Sequence, residues 1–311
     1  LQGGSAEPFP DAKLVDTRLL TETRRSEQQV RLQQFSTPLP YAALAVRAAA
    51  IRKGETVLEP SAGTGALAAF VARAGGKLLL NELDPFRQLL LRAVFATDVT
   101  DHDGEHIDDL LADPTLPDVV VMNPPFASSV DRSQDKHIAA KHLISAAKRL
   151  APGGRLVAIM PLGFSPERDA AHWTRACGLL SPRLALTFPG HVYRKLGTTV
   201  ETQLMVFDKV QEDAEFIRAA VDDLDAALAY VDDVAANRPA DAPSTKTKPQ
   251  VSAVSTRPAS RVMRKRPAAP VAAAKAKTHA AIPLEFTALA APRDNTPVSD
   301  IYARYRPQRI E

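Results

Sequence analysis

A single cysteine, Cys177, stands in 311 residues, which excludes a disulfide framework and suits a reducing compartment. No apolar run approaches the roughly 20 residues that span a bilayer, and the first 30 residues are too polar for a signal peptide. Both absences point to a cytoplasmic protein. An initiator methionine is missing as well, so the chain reads as a processed product or a piece of something longer. Internal repeats are absent. Residues 237–280 hold almost no large apolar side chain, and a segment that cannot bury surface cannot offset its ordering entropy, which predicts a flexible linker.

Acid is missing from part of that linker too. Residues 243–280 carry nine Lys or Arg and no Asp or Glu, whereas residues 211–235 carry eight acids against Arg218. The whole chain nets only +3, so the charge is segregated along it. With 45% apolar residues the remainder can build an ordinary core.

From residue 56 short aliphatic runs alternate with helical ones. TVLE precedes GALAAFVARA, KLLLNE precedes PFRQLLLRAV, DVVVMN precedes KHIAAKHLISAAKRL, and GRLVAIMP precedes RDAAHWTRACGLL. This order calls for a parallel sheet covered by helices on both faces. PRLALTF and VETQLMVFDK follow with no long helix between them, which predicts an antiparallel hairpin at one edge. Upstream, Ser36 and Thr37 are placed to cap a helix from Pro38 to Gly54. Downstream, Phe216, Ala219, Ala220, Leu224 and Leu228 fall on one face of an acidic helix over 211–236. Five segments result: an N-terminal helical extension (1–34), an α/β domain (35–210), the acidic helix, the basic linker (237–280) and a C-terminal segment (281–311).

The segment EPSAGTGALA puts Gly63 and Gly65 where the first strand turns into a helix, so backbone can approach a ligand closely at a helix start. Gly63, Gly65 and Ala68 also satisfy the spacing of a dinucleotide fingerprint. That motif alone does not separate a dinucleotide from another adenosine cofactor. Glu82 ends the second strand, where a carboxylate can accept both hydroxyls of a ribose; Asp84 is placed to cap the helix begun by Pro85. Asp98 in FATDVTD is an acceptor for an adenine amino group, with Asp101 and Asp103 as competitors for that role.

The fourth strand runs into Asn123-Pro124-Pro125-Phe126. An exocyclic amine conjugated with a base ring is a poor nucleophile, because its lone pair is spread into the ring. Acceptors for both N–H bonds would localise that pair and aim it at an electrophilic methyl group. The Asn123 side-chain oxygen can be one and the Pro124 carbonyl the other. The two prolines fix φ and keep that carbonyl out of regular structure. Phe126 offers a face on which a flat base stacks, worth roughly 1–3 kcal/mol. In duplex DNA the base must first leave the stack.

On these motifs, residues 35–208 resemble the class I S-adenosylmethionine-dependent N6-adenine DNA methyltransferases. QFSTP resembles the family's segment over the methionine end of the cofactor, which implies contacts from Phe35, Ser36, Thr37 and Pro38. EPSAGTG resembles the glycine loop, implying Glu59, Pro60, Ser61, Ala62, Gly63, Thr64 and Gly65. NELDP implies Glu82 and Leu83 at the ribose, TDV implies Asp98 and Val99 at the adenine, and NPPF implies Asn123 at both cofactor and substrate. The resemblance implies a Rossmann-like, seven-stranded, mostly parallel sheet with a reversed final hairpin. Val99 departs from the pattern, since many members carry an aromatic there.

The linker and SDIYARYRPQRIE are similar to bacterial and phage proteins of the strawberry notch type, which implies an attached helicase as partner. Cytosine C5 methylation would need a cysteine nucleophile, and Cys177 reads as core. The spacing of the seven histidines suggests no metal site. His137 and Lys141, past the catalytic loop, and Tyr193, Arg194 and Lys195 in GHVYRKLGTTVE are candidate DNA contacts, and the basic linker is either a further one or a tether. Little chain follows Lys209 in which to build a recognition domain, which predicts low sequence specificity. Two rivals stand beside this reading: an RNA or protein acceptor for the same chemistry, and a cofactor-binding module that positions a helicase.

Overall fold

The computed structural model describes residues 8–19, 36–112, 116–126, 135–196, 199–210 and 215–240. Phe35, residues 241–280 of the linker and the C-terminal segment lie outside them. An N-terminal helix, α1 (Pro8–Arg18), packs beside α2 (Leu39–Ala49). Then come β1 (Thr56–Glu59), α3 (Ala66–Arg73), β2 (Lys77–Asn81), α4 (Pro85–Phe95) and β3 (Val99–Thr100). The short α5 (Ile107–Leu110) leads to β4 (Val119–Met122), α6 (Ile138–Arg149), β5 (Arg155–Pro161) and α7 (Ala170–Cys177). The chain closes with β6 (Ser181–Phe188), β7 (Thr202–Asp208), β8 (Ile217–Ala220) and α8 (Leu228–Ala236).

The strands form one sheet in the order β3-β2-β1-β4-β5-β7-β6-β8. β1 to β5 are parallel, and β7 inserts antiparallel between β5 and β6. Alternation along the strands divides the core. Val119, Val121, Val157 and Ile159 face α1, α2, α3 and α8, while Val120, Met122, Leu156, Ala158 and Met160 face α5, α6 and α7. α2 is almost all alanine, leucine and valine and is buried nearly all round, as an apolar helix must be.

Arg155 and Asp208, both fully buried, form a two-point ion pair with Nε–Oδ1 at 2.7 Å and Nη2–Oδ2 at 3.0 Å. The remaining Nη1 donates to the carbonyls of Ala48 and Val234, so one guanidinium joins β5, β7, α2 and α8. Such a pair holds register because losing either partner strands a buried charge. No described helix is long and apolar enough to cross a membrane.

Two expectations are corrected. The helix after Thr37 stops at Ala49, because Ala50 turns left-handed (φ 47°), and neither Ser36 nor Thr37 caps it. The acidic segment is not one helix. Ile217–Ala220 pairs parallel with Leu184–Thr187 and covers the open edge of β6, making an eighth strand. Phe216 packs on one face of the sheet beside Trp173, while Ala219, Leu224 and Leu228 pack on the other. A period-3.6 reading had put all of them on one face; an edge strand with its own hydrogen bonds to make prevailed.

Candidate active site

Four segments meet at the C-terminal ends of the parallel strands: Ser36–Pro38, the loop from Glu59 to Gly65, Asn81–Glu82, and Asn123–Phe126. In sheets of this kind that edge is the binding crevice. Gly63 (φ 58°) and Gly65 (φ 83°) both take the left-handed conformation that side chains resist. Their duties differ. A Cβ on Gly65 would stand 2.7 Å from the Phe95 ring, so Gly65 lets α3 close on α4; at Gly63 the nearest atom would be Arg87 Nη1 at 3.7 Å.

Glu82 is buried and holds the loop from beneath. Its Oε2 accepts from the Gly63 amide at 2.7 Å and its Oε1 from the Asp84 amide at 2.9 Å. Asp84 caps α4 by accepting from the amides of Phe86 and Arg87. Sequence reasoning missed Asn81. Its amide donates to the carbonyls of Pro60 and His102 and accepts from the Thr100 hydroxyl and the His102 amide. One side chain thereby joins the ends of β1, β2 and β3, and the signal for it was a polar amide at the last position of a buried strand.

Two charged side chains at the loop keep unpartnered atoms. Glu59 is 2% exposed; it accepts from the Ala68 amide, yet its Oε2 has no partner. Burial first, and the Glu82 charge second, push its carboxyl well above the usual range. Arg87, equally absent from the sequence reading, is 7% exposed with Nη2 unpartnered behind Gly63. Beneath the loop lies His142, whose Nδ1 is 3.5 Å from Ser61 Oγ and whose ring leaves no room for a Cβ on Gly104. Burial pushes the pKa of His142 down to about 4.

Asn123 is half-buried and donates from Nδ2 to Thr37 Oγ1 at 2.9 Å. Pro124 is buried, Pro125 half-buried, and the half-exposed Phe126 leans on the core beneath the sheet. Thr64 Oγ1 approaches Ser36 Oγ at 3.5 Å, which brings the glycine loop to the N-terminal segment. Pro38 is buried and Leu83 exposed.

Other expected site residues lie elsewhere. Register pairs Leu80 with Val99 and Asn81 with Thr100, so Asp98 precedes β3 at the end away from the crevice. Val99 is buried among Ala62, Ala68, Leu80 and Leu91, where it packs rather than lining a surface. Asp101 and Asp103 both follow the end of β3, on the crevice side. Tyr193 is fully buried, edge-on to Tyr41, and cannot touch DNA. Its hydroxyl lies beside the Asn123 amide without a hydrogen bond of good geometry, and burial drives its pKa far up. Lys195 is held by the Asp16 carboxylate and carbonyl, and Lys141 by Glu105 and Asp135. Arg194 is exposed. His137 pairs with Asp169, which also pairs with His172, a convergence that residue spacing concealed. Cys177 is half-buried at the end of α7.

Residues 42–165 match the family model of the methyltransferase small domain. A methyltransferase subunit of a type I restriction-modification system from Streptococcus thermophilus shares the fold at TM-score 0.50 and 17% identity, over 64% of this chain and 53% of that one. This is the class I methyltransferase fold. The chain thus spans about half of that subunit. A presumptive RNA methyltransferase from Pyrococcus horikoshii aligns at TM-score 0.49 and 21% identity, over 65% of this chain and 98% of that one. TrmN from Thermus thermophilus aligns at TM-score 0.41 and 22% identity, over 66% and 53%. No curated protein matches in sequence. The orphan oxygen of Glu59 and the orphan nitrogen of Arg87 stand at this crevice, beside the loop that Glu82 holds.

Proposed function

We propose that this chain methylates the N6 amino group of adenine in DNA, with S-adenosylmethionine as donor. The observation that carries this is the Asn123–Thr37 hydrogen bond, formed at the end of β4 beside the glycine loop. With Nδ2 committed to Thr37, the side-chain oxygen of Asn123 is the atom left to accept from a substrate amine. The Pro124 carbonyl accepts the second N–H, and Phe126 supplies the stacking face. Acceptors that draw both hydrogens toward one face of the base make the nitrogen pyramidal and localise its lone pair on the other face, toward the methyl donor.

Glu82 is the ribose acceptor, and Glu59, Arg87 and Ser36–Pro38 surround the methionine end. When bound, the cofactor supplies an electrophilic methyl carbon on a sulfonium. Everything else is positioning and water exclusion by the chain. The product amine sheds its extra proton to solvent, because a methylated adenine amine bonded to the ring is a weak base once planar again.

Incubating the full chain with methyl-labelled cofactor and, separately, DNA, structured RNA and protein tests the reading. N6-methyladenine in DNA, lost in Asn123→Ala, is expected; label found only in RNA would move the substrate to an RNA base. Cofactor binding with no transfer to any acceptor would favour a positioning module instead.

A further inference from the structure

His137, Asp169 and His172 converge although 32 residues separate the first from the second. Asp169 offers one oxygen to each imidazole: Oδ2 stands 2.9 Å from His137 Nδ1 and Oδ1 stands 2.9 Å from His172 Nδ1. The two rings stack with centroids 4.7 Å apart and planes 20° from parallel, so both Nδ1 atoms face the same carboxylate. All three donor atoms lie within 4.8 Å of one another.

We infer that this trio is a binding site for a divalent transition ion of the zinc class. Two imidazole nitrogens and one carboxylate are the donor set such ions take, at about 2.0–2.2 Å each. A central ion at those lengths needs donors roughly 3–3.5 Å apart, so the three groups must draw together and one ring must tilt out of the stack for both in-plane lone pairs to reach the ion. Each imidazole moves its proton from Nδ1 to Nε2 on ligation, and the carboxylate stays ionised; the charge of the ion replaces two hydrogen bonds. The surroundings give the site an approach path and a firm base. The Asp169 side chain is 8% exposed and that of His172 16%, whereas His137 is 50% exposed and opens the cluster to solvent. Three protein ligands leave a coordination position for water.

Its place in the fold gives the ion a consequence. His137 sits at the start of α6, the helix that follows β4 and Asn123–Phe126, and Asp169 sits at the start of α7, which follows β5. An ion there ties the two helix starts together on the crevice side of the sheet. Neither the glycine loop nor Asn123 takes part, so the site is separate from the proposed methyl-transfer chemistry.

The test is metal binding itself. The full chain, stripped with chelator, is titrated with Zn2+ against a chromophoric competitor and, separately, with Co2+ while its visible absorption is followed. One ion per chain is expected, with Co2+ bands of nitrogen and oxygen ligation and a higher melting temperature on Zn2+ addition. His137→Gln with His172→Gln should weaken binding beyond the roughly 10–100-fold that loss of an outer partner costs. The isosteric Asp169→Asn is expected to do the same, and Zn2+ should no longer raise the melting temperature of either variant. Wild type that holds no ion at micromolar Zn2+ overturns the inference. So does binding that survives unchanged in the double variant or in Asp169→Asn.

Discussion

The side-chain nitrogen of Asn123 donates to the hydroxyl oxygen of Thr37 across 2.9 Å, joining the fourth strand to a segment 86 residues earlier. An amide has two faces to offer, and this bond decides which one a substrate meets. Thr37→Val keeps the shape and removes the acceptor. Methyl transfer should slow about 10–100-fold through misplacement, with cofactor affinity unchanged. Asn123→Ala should cost about 10²–10³-fold, the range for removing one group that holds the reacting atoms. Single-turnover rates beside cofactor titrations check both, and equal loss of cofactor binding in Thr37→Val would refute the orienting role.

Gly63 and Gly65 should fail in different ways. At Gly65 an added methyl meets Phe95 and Leu91 and demands a positive φ, so Gly65→Ala should cost about 2–4 kcal/mol of stability. At Gly63 the methyl has space on the protein side, and the strain alone amounts to about 1–2 kcal/mol. Its loss should appear chiefly as weakened cofactor binding. Chemical denaturation and equilibrium binding of the two variants separate these outcomes.

His142 makes stability depend on pH. Its folded pKa of about 4 lies below the ordinary 6.5, so the unfolded chain binds the proton more readily. The stabilisation is fully present above pH 6.5, declines as pH falls, and is gone below about 4. The span of some 2.5 units corresponds to about 3 kcal/mol. Urea midpoints measured from pH 7 to 4 should show that decline, and His142→Gln should remove its part of the slope.

Glu59 should couple cofactor binding to protons. Burial and the Glu82 charge hold its carboxyl well above the usual range, and a cation beside its orphan oxygen would pull it down. Cofactor should therefore bind more tightly as pH rises through the raised pKa, with a proton released. Calorimetric titrations in two buffers of different ionisation enthalpy measure that proton. Identical apparent enthalpies in both buffers would count against the coupling, and Glu59→Gln should abolish any difference.

Much of the fold was legible because it rests on local pattern. TVLE, KLLLN and VVVM are short, aliphatic and bounded by turns, and each is followed by a helical run. Asp84 before Pro85 reads as a cap and acts as one, because capping needs only neighbours. Less legible was whatever depends on partners far along the chain. Phe216, Ala219 and Leu224 suit a helix by spacing, yet the unpaired edge of β6 draws them into strand and turn. Tyr193 looked like a surface aromatic beside basic residues, and Tyr41 buries it.

The sequence by itself determined the alternation of strands and helices from β1 to β7, the glycines that must turn left-handed, and the residue types at the ends of β1, β2 and β4. These follow from backbone sterics and hydrophobic period, which act within a few residues. The tertiary structure alone decided that Asp98 lies away from the crevice, that Asn81 joins three strands, and that two histidines share one carboxylate. Strand register and helix packing set those distances, and both are fixed by burial summed over the whole sheet, which no short stretch encodes.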